Sequence, residues 1–356
     1  MTREFDAAAG RAPGTGHAGA PSRPRQAGPH PLGGSAGVPA SRGAVIARVA
    51  IMTDETGWHT RQLQAALRER GALGRCLDLA DCRIDIGHAW HGLVLPGFGT
   101  ALPDAVIVRG IAGGSFEQVT KRLGVLHALR EFGVPVTNDA RAIERSVDKS
   151  MTSLLLHAAG VPTPPTWAME SAEDAQRLVM RESAAGRSLV LKPLFGSQGK
   201  GLLRVGCVDG THVPLPPLRG LYGELAYLQR YIPAQAAPGH DWRVLVIGGQ
   251  AVAAMRRVSE HWVHNVAQGA RCEPQPLDRG AGPELSRLAV AAARALDMGY
   301  AGVDLMPSDD GLQVIEVNGV AAWQGLQRVT RRNIAQALVD DVLARHHLAQ
   351  AAPQRA

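Results

Sequence analysis

The run Lys192-Pro193-Leu194-Phe195-Gly196-Ser197-Gln198-Gly199-Lys200-Gly201 constrains the fold of this chain more than any other segment. Its three glycines let backbone N–H groups approach an anion without side-chain obstruction, and a lysine stands at each end. A P-loop reads GxxxxGK[ST] and opens a helix. Here the order is GxxGKG, and the flanks, Ser188 to Leu194 and Leu202 to Gly206, are strand-like on both sides. The loop is therefore predicted at the tip of a hairpin, where it can close over a nucleotide as a flap. An ordinary glycine-rich turn is the alternative. Lys192 at the base favours phosphate, because an ammonium neutralises charge without demanding bidentate geometry.

Lysine is otherwise almost absent. Of 38 basic residues only Lys121, Lys149, Lys192 and Lys200 are lysine. Where arginine is the default cation, a retained lysine points to a place that needs a compact, flexible ammonium rather than a planar fork. Lys192 and Lys200 flank the glycine loop, Lys149 lies in a second segment, Val147 to Ser150, and Lys121 is read as surface.

The remaining bulk properties narrow the class. With 356 residues, 45% hydrophobic and 20% charged, the chain is long enough for two or three lobes with real cores. The net charge of +6 suits a polyanionic small substrate. No basic stripe interleaved with aromatics supports nucleic-acid binding. Scattered cysteines (Cys76, Cys82, Cys207, Cys272) suit reduced thiols, and no apolar run reaches the roughly 20 residues a membrane helix needs. These observations predict a cytoplasmic protein, free of membrane, for which a homo-oligomer is compatible.

Residues 1–43, rich in Gly, Pro, Ala and Ser, are predicted to be a disordered tail. Over 44–138, strands near 44–52, 75–79, 92–96, 104–109 and 134–136 alternate with helices near 60–70 and 116–131, which predicts a small parallel α/β domain. A different texture follows. Helices near 139–146, 148–159 and 171–185, the rigid run Pro162 to Thr166, and hairpin-like strands predict an α+β lobe over 139–224. A second α+β lobe is predicted over 225–346, with strands near 225–232, 241–247, 250–258, 300–306 and 312–318, helix 283–296 and a last helix ending near His346; residues 347–356 form a tail.

The sharpest constellation lies in the last two strands. Asp304 stands in Ala301-Gly302-Val303-Asp304-Leu305-Met306, and Glu316 and Asn318 in Val314-Ile315-Glu316-Val317-Asn318. A three-residue turn at Asp309 to Gly311 sets Asp304 directly opposite Glu316, with Asn318 two residues on and on the same face. Three hard oxygen donors then converge between apolar strands, as Mg²⁺ requires when it also bridges phosphates. A hairpin's surface face is the alternative, but opposed acidic side chains there would repel one another. A slip of one residue in register would scatter all three.

In order, Asp148-Lys149, the glycine loop, Leu228-Gln229-Arg230-Tyr231-Ile232, Asp241-Trp242-Arg243, Ala301 to Met306 and Glu316-Val317-Asn318 resemble the ATP-grasp superfamily, and more narrowly the RimK-type α-L-glutamate ligases. The phrases RAIERSVDKSMTSLLLHAAGVPTPPT, NVAQGA and GLQRVTRRNIA are most similar to the tetrahydromethanopterin:glutamate ligase branch; the resemblance spans about residues 44–345. It implies an ATP-grasp fold with α/β and α+β parts, namely an N-terminal parallel domain, a central lid lobe and a C-terminal lobe. It implies ATP and two Mg²⁺ ions, with Mn²⁺ a possible substitute, and a small-molecule carboxylate joined to L-glutamate through an acyl phosphate.

By the same resemblance Lys149 and Lys192 match the lysines that hold the phosphates, and Gly196, Ser197, Gln198, Gly199, Lys200 and Gly201 match the flap. Backbone groups of Arg230 and Ile232 match the adenine hinge, and Asp241 the ribose contact. Asp304, Glu316 and Asn318 match the Mg²⁺ ligands, and Arg257 matches an arginine that stabilises the transferring phosphoryl group. Arg109 and Asn265 are candidates for substrate contact.

Two departures bear on the acceptor and the hinge. Arg230 replaces the family's usual acidic residue, and Ser259 to Asn265 lacks the arginine that ribosomal-protein-modifying members carry. That favours a small-molecule acceptor, such as a tetrahydromethanopterin-type pterin or a methanofuran-type precursor, over a protein C-terminus. A non-catalytic ATP-binding module is the reading from a different class. His261 and His264 read as substrate wall, and Arg328, Arg331 and Arg332 as a solvated face.

Overall fold

The computed structural model describes residues 46–196 and 199–351. The expected tail over 1–43 and the flap residues Ser197 and Gln198 therefore lie outside the described residues.

The chain begins with alternation. Strand β1 (Arg48–Met52) sends Val49 and Ile51 to one face and Ala50 and Met52 to the other, as the two-residue period of a strand dictates. Helix α1 (Trp58–Glu69) and strand β2 (Leu73–Leu77) follow; a two-stranded ribbon, β3 (Arg83–Ile84) with β4 (Leu93–Val94), leads into β5 (Ala105–Val108). Helix α2 (Phe116–Glu131) starts where Ser115 accepts from the Gln118 N–H and Gln118 answers to the Ser115 N–H, a reciprocal cap. Strand β6 (Val136–Thr137) completes a four-stranded parallel sheet, ordered β2-β1-β5-β6. Val125, Leu126 and Leu129 of α2 cover one face, and Leu63, Ala66 and Leu67 of α1 the other.

Helices α3 (Ala140–Val147) and α4 (Lys149–Ala158) are joined by Asp148, whose carboxylate accepts from the Ser150 and Met151 N–H groups at 2.8 and 3.0 Å and so caps α4. Then comes an antiparallel sheet, ordered β10-β9-β8-β11-β7. It is built from β7 (Thr166–Met169), β8 (Ser188–Lys192), β9 (Leu203–Val208), β10 (Thr211–Val213) and β11 (Ala226–Arg230), with α5 (Ala172–Ala184) packed on it through Ala175, Leu178 and Val179. The glycine loop joins β8 to β9, which pair antiparallel, so it tips a hairpin as its flanks predict.

A second antiparallel sheet runs β14-β13-β12-β15-β16. Its strands are β12 (Gly239–Ile247), β13 (Gln250–Ser259), β14 (Arg271–Pro274), β15 (Tyr300–Ser308) and β16 (Gly311–Asn318). One face packs Val244, Val246, Val303, Leu305 and Val314 under α6 (Gly282–Ala295). The other changes character along its length: Asp241, Arg243, Arg257 and Asp304 lie toward one end. Leu245, Ile247, Ala253 and Met255 at the other lie under Trp323, Leu326 of the short helix α7 (Gln324–Gln327) and the last helix, α8 (Ile334–Ala351). Leu338, Val339 and Val342 of α8 share that cluster with Val49, Ile51 and Ile107, so α8 ties this sheet to the parallel one.

Several details depart from expectation. Strand β7 begins at the last residue of the rigid proline run and crosses a stretch with no predicted element, because its pairing with β11 is long-range and leaves no local mark. Strands β10 and β14 are likewise unforeseen, and α8 continues past His346 to Ala351. Lys121 is no idle surface cation: its ammonium donates to the carbonyls of Leu79, Ala80 and Cys82.

Candidate active site

A cleft partly open to solvent lies where the two antiparallel sheets face each other. Strands β8 and β11 supply Lys192, Gln229 and Arg230; β12, β13, β15 and β16 supply Asp241, Arg257, Asp304 and Glu316. Lys149 enters from the start of α4, and Gly196, Gly199 and Lys200 form part of the wall.

The acidic hairpin has the register its sequence predicts at the positions that matter. Gly302 pairs with Asn318, Val303 with Val317 and Asp304 with Glu316. The turn holds two residues rather than three, since Ser308 pairs with Gly311, and a bulge between Asp304 and Leu305 restores the offset. The bulge also has a consequence: Ile315 and Glu316, successive residues, both line the cleft.

Asp304 is 2% exposed and accepts from Arg243 Nε at 2.7 Å and Arg243 Nη2 at 2.6 Å, while Arg257 Nη2 stands 3.1 Å from its Oδ2. Burial works against its charge, but Arg243 and Arg257 outweigh burial and hold the carboxyl below the ordinary range. Arg257, also 2% exposed, makes a bidentate pair with Asp241 at 2.7 and 2.6 Å. Burial pushes the Asp241 carboxyl up to about 6 against the pull of Arg257. The Arg257 Nη1 atom is buried without a hydrogen-bond partner.

The lysines face these carboxylates. Lys192 donates to Gln229 Oε1 at 2.6 Å, and the Gln229 amide passes on to Thr166 Oγ1 at 3.2 Å. Burial lowers the Lys192 ammonium to about 8; Glu316 and Asp304 oppose the shift and Lys149 adds to it. Lys149 donates to Gly196 O at 2.7 Å and Leu194 O at 3.3 Å, and lies 4.0 Å from Glu316. Its pKa is also lowered, burial outweighing Glu316 and Asp148. One cleft thus gathers Lys149, Lys192, Asp304, Glu316, Asp241 and Arg257 from six separate elements.

The oxygen donors suit a hard cation. Asp304 accepts three contacts, which leaves about one of a carboxylate's four lone-pair sites. Glu316, about a third exposed, has the Lys149 ammonium 4.0 Å away and feels the charge of Lys192 as well. Asn318 spends Nδ2 on Gly302 O at 3.4 Å, which leaves Oδ1 as a donor. Yet Lys149, Lys192, Arg243 and Arg257 outnumber Asp241, Asp304 and Glu316 by four to three. A free divalent cation would enter a network already positive, whereas one carried in with a polyphosphate would complete it.

Other predicted residues sit differently. Arg230 turns its side chain away to Glu182, at 2.9 Å, where Arg181 and Arg187 also converge, and its amide N–H donates to Pro165 O at 2.8 Å. Ile232 lines the cleft and is buried. Asn265 also lines it, against Gly199, with the Gln268 amide donating to Gly199 O at 3.2 Å. Arg109 lies apart from the cleft lining and donates to Tyr300 Oη at 2.9 Å and Ala321 O at 2.8 Å. Gln229 was not foreseen as part of the site; the sequence signal is its place, one residue before Arg230 on the strand paired to Lys192.

Residues 47–143 match the RimK PreATP-grasp domain and residues 146–342 the RimK-like ATP-grasp domain. The chain belongs to the RimK-like ATP-grasp family. Its sequence is 34% identical over 238 residues to the tetrahydromethanopterin:alpha-L-glutamate ligase of Methanococcus maripaludis, covering 66% of this chain and 77% of that protein. It is 30% identical over 312 residues to the ligase of the same name from Methanosarcina acetivorans, covering 77% of this chain and 92% of that one. Among solved structures, the ATP-grasp ligase PsnB, in complex with a minimal precursor, Mg and ADP, superposes with a TM-score of 0.64 at 21% identity, covering 86% of this chain and all of PsnB. A RimK domain protein from Sphaerobacter thermophilus gives 0.58 at 22% identity, over 83% and 100% of the two chains. The fold of this RimK-like chain is therefore ATP-grasp, and the chain is a C–N bond-forming ligase. Among the described residues no helix is long and apolar enough to cross a membrane.

Proposed function

We propose that this ligase uses ATP and two Mg²⁺ ions to join the amine of L-glutamate to the carboxylate of a small molecule, of the tetrahydromethanopterin type. The observation that carries the reading is the convergence of Lys149 and Lys192 with Asp304 and Glu316 in one cleft, with Asn318 two residues beyond Glu316 on the same strand. The names of the relatives support the choice of glutamate and of a pterin-bearing acceptor.

In this reading the lobes over 139–224 and 225–346 close on the nucleotide, with the parallel domain beside them. Lys149 and Lys192 hold its phosphates; Lys149 exchanges the carbonyls of Leu194 and Gly196 for phosphate oxygens. Backbone groups at Arg230 and Ile232 meet the base, and Asp241 lies toward the ribose while it orients Arg257. Asp304, Glu316 and Asn318 would hold the metal, which supplies charge neutralisation across the phosphates. The acceptor carboxylate oxygen takes the γ-phosphoryl group and ADP leaves. The glutamate amine, after losing a proton, then attacks the acyl carbon and expels phosphate to give the amide. Arg257, pre-oriented by Asp241, stabilises charge on the transferring group. Four free cysteines suit a cytoplasmic setting.

The test is ADP release and product mass with ATP, Mg²⁺, glutamate and a pterin carboxylate. The reading expects ADP that depends on both substrates and a product heavier by one glutamyl residue or more. Nucleotide binding with no acceptor-dependent ADP would leave the non-catalytic module in its place.

A further inference from the structure

Asn138 is 2% exposed and spends its whole carboxamide on two other segments. Its Oδ1 accepts from the N–H groups of Gly299 at 3.0 Å and Tyr300 at 3.1 Å; its Nδ2 donates to Tyr300 O at 2.6 Å and Gly319 O at 2.7 Å. That is every bond such a side chain can make. Tyr300 begins β15, and Gly319 follows the last residue of β16. The hairpin that carries Asp304, Glu316 and Asn318 is closed at one end by its turn. At its open end the Asn138 amide stands in for a further rung of the ladder.

The tie has company. Beyond Asn318 the chain is held at alternate residues: Gly319 O by Asn138, Ala321 O by Arg109 and by the Tyr300 hydroxyl, and the Trp323 N–H by His59 Nε2 at 3.1 Å. Asn138, Arg109 and His59 all come from the part of the chain that matches the PreATP-grasp domain. Gly319 is fitted to this place, since a Cβ there would lie 2.6 Å from Ser146 Oγ and 2.8 Å from Met298 Cε.

We infer that Asn138 is a positioning residue, which by bridging Tyr300 and Gly319 fixes the separation of the strands that present Asp304 and Glu316 to the metal and nucleotide. The inference rests on the proposed Mg–nucleotide site. Asn138 touches none of the ligands themselves and acts on them through the backbone, since Tyr300 stands four residues before Asp304 and Gly319 one after Asn318.

The experiment is Mn²⁺ binding in the presence of ADP, followed by electron paramagnetic resonance, for the wild-type protein, Glu316→Ala, Asn138→Ala and Asn138→Asp. The aspartate keeps the acceptor for the N–H groups of Gly299 and Tyr300 but loses the donor to the carbonyls of Tyr300 and Gly319. Expected are tight binding by the wild type, loss in Glu316→Ala, and binding weakened several-fold in both Asn138 variants, with ADP alone bound as in the wild type. A wild type that does not retain Mn²⁺ with ADP would overturn the site itself. Wild-type-like Mn²⁺ affinity in folded Asn138 variants, with only a lower melting temperature, would overturn the positioning role alone. If neither variant folds, Asn138→Ser is read by the same criterion, and failure of all three to fold overturns the inference by making Asn138 a folding residue only.

Discussion

Arg257 clasps Asp241 through two parallel hydrogen bonds, at 2.7 and 2.6 Å, and the same Nη2 atom stands 3.1 Å from Asp304. The three residues are 2–3% exposed, so each charge depends on the others for its solvation. Removing one member of a buried ion pair strands the remaining charge and typically costs about 3–5 kcal/mol. Arg257→Ala should lose stability on that scale in urea unfolding and also lose turnover. Asp241→Asn, which keeps an acceptor for the guanidinium, should cost markedly less. Equal costs for the two would mean that charge rather than shape holds the cluster.

Lys192 makes the pH dependence of nucleotide use specific. Its pKa in the free protein, about 8, lies below the ordinary 10.5 because of burial, so charge is lost from the proposed phosphate clamp just above neutrality. The folded form binds fewer protons than the unfolded form between about 8 and 10.5, so this group adds stability as pH rises through that window. Nucleotide affinity runs the opposite way. kcat/KM for ATP should fall above pH 8, while kcat, read with phosphate already against the ammonium, should hold. Gln229→Glu, which puts a carboxylate where Oε1 now accepts from Lys192, should move the falling limb upward by about one unit or more. Lys192→Arg should abolish the limb and most of the activity, because a planar fork does not fit a site built for an ammonium.

Much of this arrangement is legible in the residues, and some of it for a reason the residues conceal. Helix α2 runs over Phe116–Glu131 as its pattern predicts because Ser115 and Gln118 cap it locally. Asp304 faces Glu316 as predicted, but through two compensating differences: a turn one residue shorter, and a bulge that returns the missing residue at Ile315. Nothing local marks that bulge; it is set by what the two strands must bury against α6. The side-chain partners of the charged groups are less visible still. Arg230 pairs with Glu182, 48 residues away, and Asn138 with Tyr300, 162 away. Periodicity reports which face a residue occupies, not which distant carbonyl or carboxylate its polar end will meet.

Two glycines of the flap differ in what they tolerate. Gly201 has φ +71°, and a Cβ there would lie 2.4 Å from Leu221 Cδ2 and 3.0 Å from Pro193 Cγ. Leu221 is a flexible, exposed side chain and can move, but Pro193 is a rigid ring beside Lys192. Together with the roughly 1–2 kcal/mol that a left-handed backbone costs a non-glycine residue, this should displace the loop. Gly196 has no left-handed φ, and its nearest neighbour would be Pro193 Cβ at 3.3 Å. Gly201→Ala should raise KM for ATP several-fold, and Gly196→Ala should leave it within about two-fold, by steady-state kinetics.

His264 adds an acid limb to stability. It is 5% exposed, and burial, with Arg257 and His240 nearby, lowers its pKa from 6.5 to about 4. A histidine buried neutral contributes stability that is fully present above pH 6.5 and is lost as pH falls toward 4, because the unfolded chain takes up the proton first. One such group bends the stability curve by at most about 1.4 kcal/mol per pH unit. Urea midpoints of the wild type should therefore fall between pH 6.5 and 4 more steeply than those of His264→Gln, which carries no titrating group; parallel curves would remove the assignment.

The balance of charge in the cleft bears on how metal is taken up. Lys149, Lys192, Arg243 and Arg257 face Asp241, Asp304 and Glu316, so the network is positive before any ligand arrives. Mg²⁺ by itself should bind weakly, because it adds charge of the sign already in excess. ADP or ATP supplies the missing negative charge, and metal and nucleotide should then bind with positive coupling, each raising the affinity for the other by the same factor. Calorimetric titration should show Mg²⁺ binding tightened about ten-fold or more by ADP, corresponding to a coupling of roughly 1.4 kcal/mol or more. Glu316→Gln, which keeps the shape but removes one carboxylate, should lose most of that coupling while still binding ADP through the two lysines. Strong binding of Mg²⁺ to the nucleotide-free protein would contradict this picture and would require a carboxylate set released from its arginines.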